Sequence, residues 1–311
     1  MIARELKPRA PAPRSRLLMA KAPARLLRQI LIRQRQLMRM LRLLRLAGLI
    51  SPLRAAGLLL LLSLQALAPA HAGRSCEDKR VDSANLIKAM TLAGQTRQAL
   101  EQSGAQVALI ARVGQDLSQY GLRYSHMAFV WRDHPDGRWL VVHELNTCGT
   151  GDSALYDEGL GNFFLDDLFA WESKIIIPGV ETQTMLAAML ASKKPLQLHS
   201  AHYNMLAFPF ATTYQNSNQW LLEVYAAAHS GALDRSAAQA WLRREGYQPV
   251  TIHISTVTRL GARMFRANVA FDDQPFGRRM AGEIDTVTVD SVINFVHRRD
   301  LQTTELVLSV P

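Results

Sequence analysis

Two strand-like segments joined by a tight turn limit the folds that this 311-residue chain can adopt. The segments RYSHMAFVWRD (123–133) and RWLVVHELN (138–146) are rich in β-branched and aromatic residues, and His-Pro-Asp-Gly (134–137) separates them. Pro followed by Asp-Gly is a strong turn signal, and such a turn between two strand-like segments predicts a β-hairpin. We therefore expect a sheet whose remaining strands and helices are built around this hairpin.

Helical and strand-like patterns both occur in the rest of the chain. Apolar residues at helical spacing predict helices in the segments 82–104, 181–194, 216–231 and 234–246. Further strands are predicted in 105–114, 174–178, 251–256 and 267–273, and a strand followed by a helix in 285–298. The acidic segment 152–167 is predicted to be a solvated loop. Because strands and helices do not alternate regularly, the predicted fold class is α+β, with an antiparallel sheet packed against helices.

The surplus of positive charge lies in the N-terminal leader of the chain. The whole sequence has a formal net charge of +10, but residues 73–311 hold 22 basic and 25 acidic residues, a net charge of −3. A basic surface is what attracts nucleic acid, so the charge of this larger part argues against a nucleic-acid partner.

An apolar stretch follows the basic leader. Residues 55–72 contain about fifteen apolar residues and end in Ala-His-Ala. These parts form a secretory signal, whereas a membrane-spanning helix needs roughly 20 apolar residues. We expect the leader and signal (1–72) to be removed after Ala72 and residues 73–311 to form one mature periplasmic domain. An uncleaved leader anchored in the inner membrane is the alternative, and the leader's length also fits translation from an internal methionine or a membrane-surface helix.

The chain has two cysteines, and both follow the expected cleavage site. Cys76 and Cys148 are separated by 72 residues, and an exported chain folds in an oxidising compartment, which favours a disulfide between them. Closing a loop of this length contributes on the order of 4 kcal/mol in the chain-entropy model. A catalytic thiol is the alternative. The intact mass of the exported chain tests both the cleavage and the disulfide.

Histidines and one serine are the candidate catalytic groups. His126 begins one strand of the hairpin and His143 lies on the other, so contact between them is feasible if the register allows. Ser217 lies where a helix is predicted to begin, a position that favours developing negative charge. Ser and Asn are also the preferred N-cap residues, so capping is the competing interpretation of Ser217.

Several of these motifs resemble a known family of exported bacterial proteins. RSCE, the segment 105–149, LYDEGLGNFFLDD and YQNSNQWLLE are similar to the family catalogued as domain of unknown function 2145, across nearly all of residues 73–311. The resemblance implies no established reaction.

A more distant resemblance is to circularly permuted papain-like proteins of the NlpC type. In that superfamily a strand-borne histidine precedes a cysteine that opens a helix, and here "YSHMAF" and "NSNQW" follow the same order. The resemblance implies a papain-like fold with His126 as the base and Ser217 in the position of the cysteine. An alignment shifted by one residue places Asn216 there instead, and the orienting residue remains open among His143, Glu144 and Asn146.

Two functions follow from these expectations. The first is an amide or ester hydrolase of the cell envelope, acting on a cell-wall peptide or a lipid-linked amide. The second is a non-catalytic binding or assembly protein with a degenerate cleft. The binding residues predicted in either case are Tyr124, Asn146, Tyr214, Asn216, Asn218 and Gln219.

No metal or cofactor is expected. The two cysteines lie too far apart in sequence for a zinc site, and the acidic segment 152–167 lacks the spacing of a calcium loop. His199 and His202 lie in a predicted loop, where a metal site is not favoured.

Overall fold

The computed structural model describes residues 82–166 and 168–311, all within one compact unit, Arg74–Pro311. The basic leader, the expected cleavage after Ala72 and Cys76 lie outside the described residues. Within the described part, no helix has both the length and the apolar character needed to cross a bilayer.

The fold is α+β, as the sequence predicts, and its centre is a six-stranded antiparallel sheet. In spatial order its strands are β4 (Ser153–Gly159), β3 (Gly137–Asn146), β2 (His126–His134), β1 (Val107–Val113), β5 (Ala170–Ile177) and β8 (Thr304–Ser309). The predicted hairpin is confirmed, because β2 and β3 pair with His134 opposite Gly137. A second, two-stranded sheet pairs β6 (Val250–His253) with β7 (Glu283–Thr286).

Helices cover both faces of the larger sheet. Those in the described residues are α1 (Ser83–Ser103), α2 (Leu160–Leu165), α3 (Val180–Leu190), α4 (Lys194–Gln197), α5 (Ser217–Ser230), α6 (Arg235–Arg244), α7 (Thr256–Phe265), α8 (Phe276–Ala281) and α9 (Val289–Arg299). All four helices predicted from periodicity form, and so do the predicted strand and helix in 285–298.

Side chains of β2 alternate between two separate cores. Met127 and Phe129 belong to a cluster with α5 residues such as Trp220, and we call this side of the sheet the α5 face. Ala128 and Val130 belong to a second cluster with α1 and with Phe163 of α2, and we call this side the α2 face. Because successive strand residues point to opposite sides, the position of a residue along β2 or β3 determines which core it enters.

One predicted strand is wrong. Residues 267–273 form turns, because their polar groups bond to side chains and to the Met205 backbone amide instead of to a neighbouring strand. The Ala270 amide donates to Asn204 Oδ1, and the Ala270 carbonyl accepts from Asn204 Nδ2. Asn268 Nδ2 donates to Asn146 Oδ1.

The acidic segment was also wrongly predicted as a loop throughout. It contains edge strand β4, paired with β3, and then α2, whose Phe163 and Phe164 are fully buried. The adjacent charged residues Asp157 and Glu158 concealed the strand character of β4. The short helices α7 and α8 and the edge strand β8 were not predicted.

A buried ion pair holds α5 and α6 together. Glu223 is fully buried, and Arg235 Nε donates to its Oε2 over 2.7 Å. Amide groups of Gln215, Gln219 and Gln239 also donate to the carboxylate, at 2.6, 3.2 and 2.7 Å. Burial raises the pKa of Glu223, and Arg235 opposes that shift. The stability of a buried carboxylate depends on the cation that neutralises it and on the donors that hydrogen-bond to it.

Substituting Arg235→Ala is therefore expected to lower the free energy of unfolding by about 3 to 5 kcal/mol, since it removes the counterion of the buried Glu223 side chain. Chemical denaturation measures the loss. The matched control is Arg244→Ala on the same helix, where an exposed side chain should cost less than about 0.5 kcal/mol. Equal losses in the two variants would contradict the role of the ion pair.

Candidate functional site

Ser217 is the first residue of α5, and its neighbour Asn216 caps the helix. Asn216 Oδ1 accepts a hydrogen bond from the Gln219 backbone amide over 2.8 Å. The Ser217 side chain is buried and hydrogen-bonds to Tyr203. Burial and the nearby Glu144 raise the pKa of Tyr203 to about 12, and the Ser217 hydrogen bond opposes the shift. A tyrosine with so high a pKa is a poor base for activating a hydroxyl at neutral pH.

The amide side chains around Ser217 fasten the start of α5 to other elements. Asn218 Oδ1 accepts from the Met127 amide of β2 over 3.0 Å. Asn216 Nδ2 donates to Thr286 Oγ1 of β7 over 3.1 Å. Gln219 Nε2 donates to Glu223. All three side chains are buried, so these predicted binding residues are used within the protein.

The other predicted binding residues lie apart from each other. Tyr124 is buried in the core of the α5 face, with the Lys174 ammonium 5.9 Å from its ring. Asn146 braces the turn after β3, donating to Thr150 O and Asp152 O. The Tyr214 hydroxyl donates to the Asp272 carboxylate. The structure does not bring these three residues into one site.

His126 and His143 do meet, and a carboxylate extends the pair. His126 Nε2 lies 2.9 Å from His143 Nδ1, and His143 Nε2 lies 3.0 Å from Glu158 Oε1 of β4. Burial, followed by the Arg112 charge and His143, holds the pKa of His126 well below its usual value. Burial also lowers the pKa of His143, although Glu158 opposes that shift. Both imidazoles are therefore neutral at pH 7.

The proposed partnership between Ser217 and His126 does not form. His126 contacts His143 and Phe163 and shares the strand parity of Ala128, which places it on the α2 face. Ser217 opens the helix that packs on the other side of the sheet. A base must lie within hydrogen-bond reach of the nucleophile that it activates. Because Ser217 and His126 lie on opposite faces of one sheet, the expected contact between the serine hydroxyl and the histidine ring is absent.

A small cavity adjoins the histidine pair on the α2 face. It has a volume of about 230 Å³ and is lined by Leu145, Glu158, Asn162, Leu165 and Asp166. We call it the α2 cavity. Arg112 of β1 pairs with Asp166 and also donates to the Phe163 carbonyl. Among the described residues, the α2 cavity and its wall therefore bring together the carboxylates of Glu158 and Asp166 and the guanidinium of Arg112.

Part of this arrangement was accessible from sequence. The turn at 134–137 determines the hairpin register, and strand alternation then places His126 and His143 on the same side. Glu158, Asp166 and Arg112 were missed because their contribution depends on β4 and α2, which were predicted as a loop. No group of three or more His, Cys, Asp and Glu side chains among the described residues is placed to hold a metal ion.

A second polar cluster lies on the α5 face. Glu144 of β3 is fully buried, and burial raises its pKa to about 8, with a hydrogen bond from Ser153 opposing the shift. Ser153 Oγ lies 3.1 Å from His199 Nε2. In a catalytic triad the carboxylate bonds to the imidazole, and the imidazole bonds to the serine hydroxyl. Here the Glu144 carboxyl group bonds to Ser153 and not to His199, so the order differs.

Comparison with known proteins identifies a family and no individual relative. A family model described as "Uncharacterized protein conserved in bacteria (DUF2145)" matches residues 99–296, more than half of the chain. No curated protein and no solved structure matches the chain.

Glu144 is expected to make stability depend on pH. Its pKa is about 8 in the folded protein against an ordinary value of 4.5, so the folded state holds the proton more tightly. The resulting stabilisation is complete below pH 4.5 and is lost as the pH rises towards 8, by a few kcal/mol.

Chemical denaturation between pH 5 and pH 8 should therefore show a smaller loss of stability in Glu144→Gln than in the wild type, because Gln does not titrate. Asp157→Asn, an exposed change of the same chemistry, should follow the wild type. Parallel curves for Glu144→Gln and the wild type would contradict the raised pKa.

Proposed function

The chain belongs to the DUF2145 family of conserved bacterial proteins, and on that premise we propose that it is an exported cell-envelope protein that binds its target without cleaving it at Ser217. The observation that carries the proposal is the separation of Ser217 and His126 onto the two faces of the sheet. A serine hydroxyl depends wholly on an adjacent base, and the side chain that hydrogen-bonds to Ser217 is Tyr203. Such a serine is a structural residue at a helix start.

The relationship to permuted papain-like proteins belongs to the same proposal. The start of α5 packs against the start of β2 through the bond between Asn218 and the Met127 amide. This contact between helix and strand supports a papain-like ancestry in which the cleft has lost its catalytic pair. Met127, and not His126, occupies the strand position that faces the helix.

The α2 cavity is the proposed binding site. The carboxylates of Glu158 and Asp166 line it, and carboxylate oxygens accept hydrogen bonds from an ammonium group. A volume of about 230 Å³ is below the usual range for a whole ligand, so it suits the end of a side chain. Among envelope molecules, the amino groups of cell-wall peptides have this chemistry.

The compartment and the disulfide are part of the proposal. The signal-like segment before Gly73 supports export to the periplasm with cleavage after Ala72. A disulfide between Cys76 and Cys148 would then join the new N-terminus to the turn that follows β3. The intact mass of the processed chain, with and without reductant, tests both.

Hydrolysis by a different route is a second candidate. The chain from Glu158 through His143 to His126 orients a neutral imidazole in the way that a general base is oriented. In that case His126 activates a water molecule, and no covalent intermediate forms on Ser217.

A serine-directed fluorophosphonate probe tests the leading proposal. We expect the wild type and the Ser217→Ala and His126→Ala variants to show the same background labelling, because Ser217 has no histidine base. Gel fluorescence after incubation with the native protein measures labelling, and heat-denatured protein defines the background. Labelling of the wild type that is lost in both variants would overturn the proposal.

Binding of a cell-wall stem peptide containing diaminopimelate tests the α2 cavity. Calorimetry should show binding to the wild type and a roughly tenfold weaker affinity for Glu158→Gln, which removes one charge and costs about 1.4 kcal/mol. Asp157→Asn, a change of the same charge on the neighbouring exposed residue, should bind like the wild type. Equal affinities for all three proteins, or no binding, would contradict the site. Mass spectrometry of the incubated peptide separates the candidates, since cleavage products absent with His126→Asn would support the second.

A further inference from the structure

Strand β6 has one paired edge, because it forms a two-stranded sheet with β7. The Ile254 amide continues this ladder by donating to the carbonyl of Gly282, the residue before β7, over 2.9 Å. In an antiparallel ladder, alternate residues exchange hydrogen bonds with the partner strand, and the residues between them direct their amide and carbonyl groups outward. Since Ile254 and therefore Ile252 bond towards β7, the backbone groups of Thr251 and His253 point away from it.

These outward groups form an unpaired strand edge. Within the described part of the chain, no residue hydrogen-bonds to the amide or the carbonyl of Thr251 or His253. The two residues present donors and acceptors at a spacing of two strand positions, roughly 7 Å. This spacing is the repeat of an extended peptide backbone, so the edge is a template for one more strand.

A cavity of about 340 Å³ lies along this edge, and we call it the β6 cleft. It is lined by residues 251–255, by Thr258 of α7, and by Gln119 and Tyr120 of a short 3₁₀ helix, Ser118–Tyr120. Consecutive strand residues direct their side chains to opposite sides of a sheet, so a cavity that contacts each of them lies at an edge. Because β7 occupies one edge of β6, the cleft follows the other. Its volume is within the usual range of a ligand site.

The β6 cleft has an apolar side and a polar side. Ile252 and Ile254 belong to one buried apolar cluster, and Tyr120 packs against it. The opposite side of the strand carries Thr251 and the exposed His253. Among the described residues, no Asp, Glu, Lys or Arg lines the cleft. An added strand alternates its side chains between these two sides, so the matching sequence alternates apolar with uncharged polar residues.

We propose that the β6 cleft binds an extended segment of a partner protein, which adds as a strand to the unpaired edge of β6. Backbone hydrogen bonds to Thr251 and His253 provide the affinity, and the alternating side chains provide the selectivity. Because the edge lies in a cleft, a single extended chain reaches it more readily than the edge of a second folded sheet does. The β6 cleft shares no lining residue with the α2 cavity, so the inference does not depend on the ligand of that cavity.

Amide hydrogen exchange measured by NMR on the expressed chain tests the proposal. The probe is the peptide acetyl-Thr-Val-Thr-Val-Thr-Gly-Lys-Lys amide, which has the matching alternation and two lysines for solubility. In the free protein the amides of Thr251 and His253 should exchange roughly tenfold or more faster than the Ile252 amide, which bonds towards β7. Added peptide should slow exchange at Thr251 and His253 and leave Ile252 unchanged.

Two N-methylated forms of the peptide give a test that leaves the protein unaltered. Alternate amides of an extended strand point to opposite edges, so methyl groups on the valine amides or on the threonine amides block one edge at a time. One form should bind roughly tenfold or more weakly than the parent peptide, and the other should bind like the parent. Equal affinities of the two forms, or no binding of the parent, would overturn the proposal.

The variant His253→Pro removes one outward amide, and His253→Ala is its matched control because it changes the same side chain and keeps the amide. Proline is compatible with an edge strand where the missing N–H faces away from the ladder, and circular dichroism checks the fold. His253→Pro should bind the peptide roughly tenfold more weakly, and His253→Ala should bind like the wild type. Equal binding by both variants would contradict strand addition. A concentration-dependent dimer that His253→Pro disrupts, together with no binding of the peptide, would assign the edge to a second copy of the chain instead.

Discussion

The alternation of side chains along β2 is the constraint on which the rest of the structure depends. Both faces of the sheet are covered, so each residue of β2 enters one of two separate cores. His126 enters the core that contains Phe163, and Met127 enters the core built on α5. A shift of one residue in the pairing of β2 would exchange these sets and bury the wrong side chains on each face. The alternation along β2 therefore places His126 on the opposite face from Ser217, although their order in the sequence resembles that of a catalytic pair.

Many of the polar groups buried around α5 are paired with one another. Glu223 is surrounded by Arg235 and three amides, and the start of α5 is joined by amide bonds to β2 and β7. The surplus of polar residues before and at the start of α5 therefore belongs to a buried network. Such a network stabilises when every member is satisfied and destabilises when one partner is removed. This explains why five consecutive uncharged polar residues, 215–219, span the start of an otherwise largely apolar helix.

Two further parts of the structure differ in what they present to their surroundings. The α2 cavity is lined by the carboxylates of Glu158 and Asp166, and burial lowers the pKa values of the two histidines beside it. On α7 and α8, Arg259 and Arg279 donate to backbone carbonyls, whereas Val257, Leu260, Phe276 and Met280 are exposed. The lining of the α2 cavity suits the cationic group of the proposed ligand.

The sequence alone determined the hairpin, the predicted helices, the α+β class and the family, because turn residues and apolar spacing are local signals. It also contained the alternation along the two hairpin strands that places His126 and His143 on the same side of the sheet. Only the tertiary structure decided that Ser217 lies across the sheet from His126 and that the acidic segment forms β4 and α2. The same holds for residues 267–273, which form turns bonded to Asn204. Each of these outcomes depends on which residues, distant in sequence, hydrogen-bond to a backbone group or pair with a charge. The spacing of neighbouring residues does not contain that information.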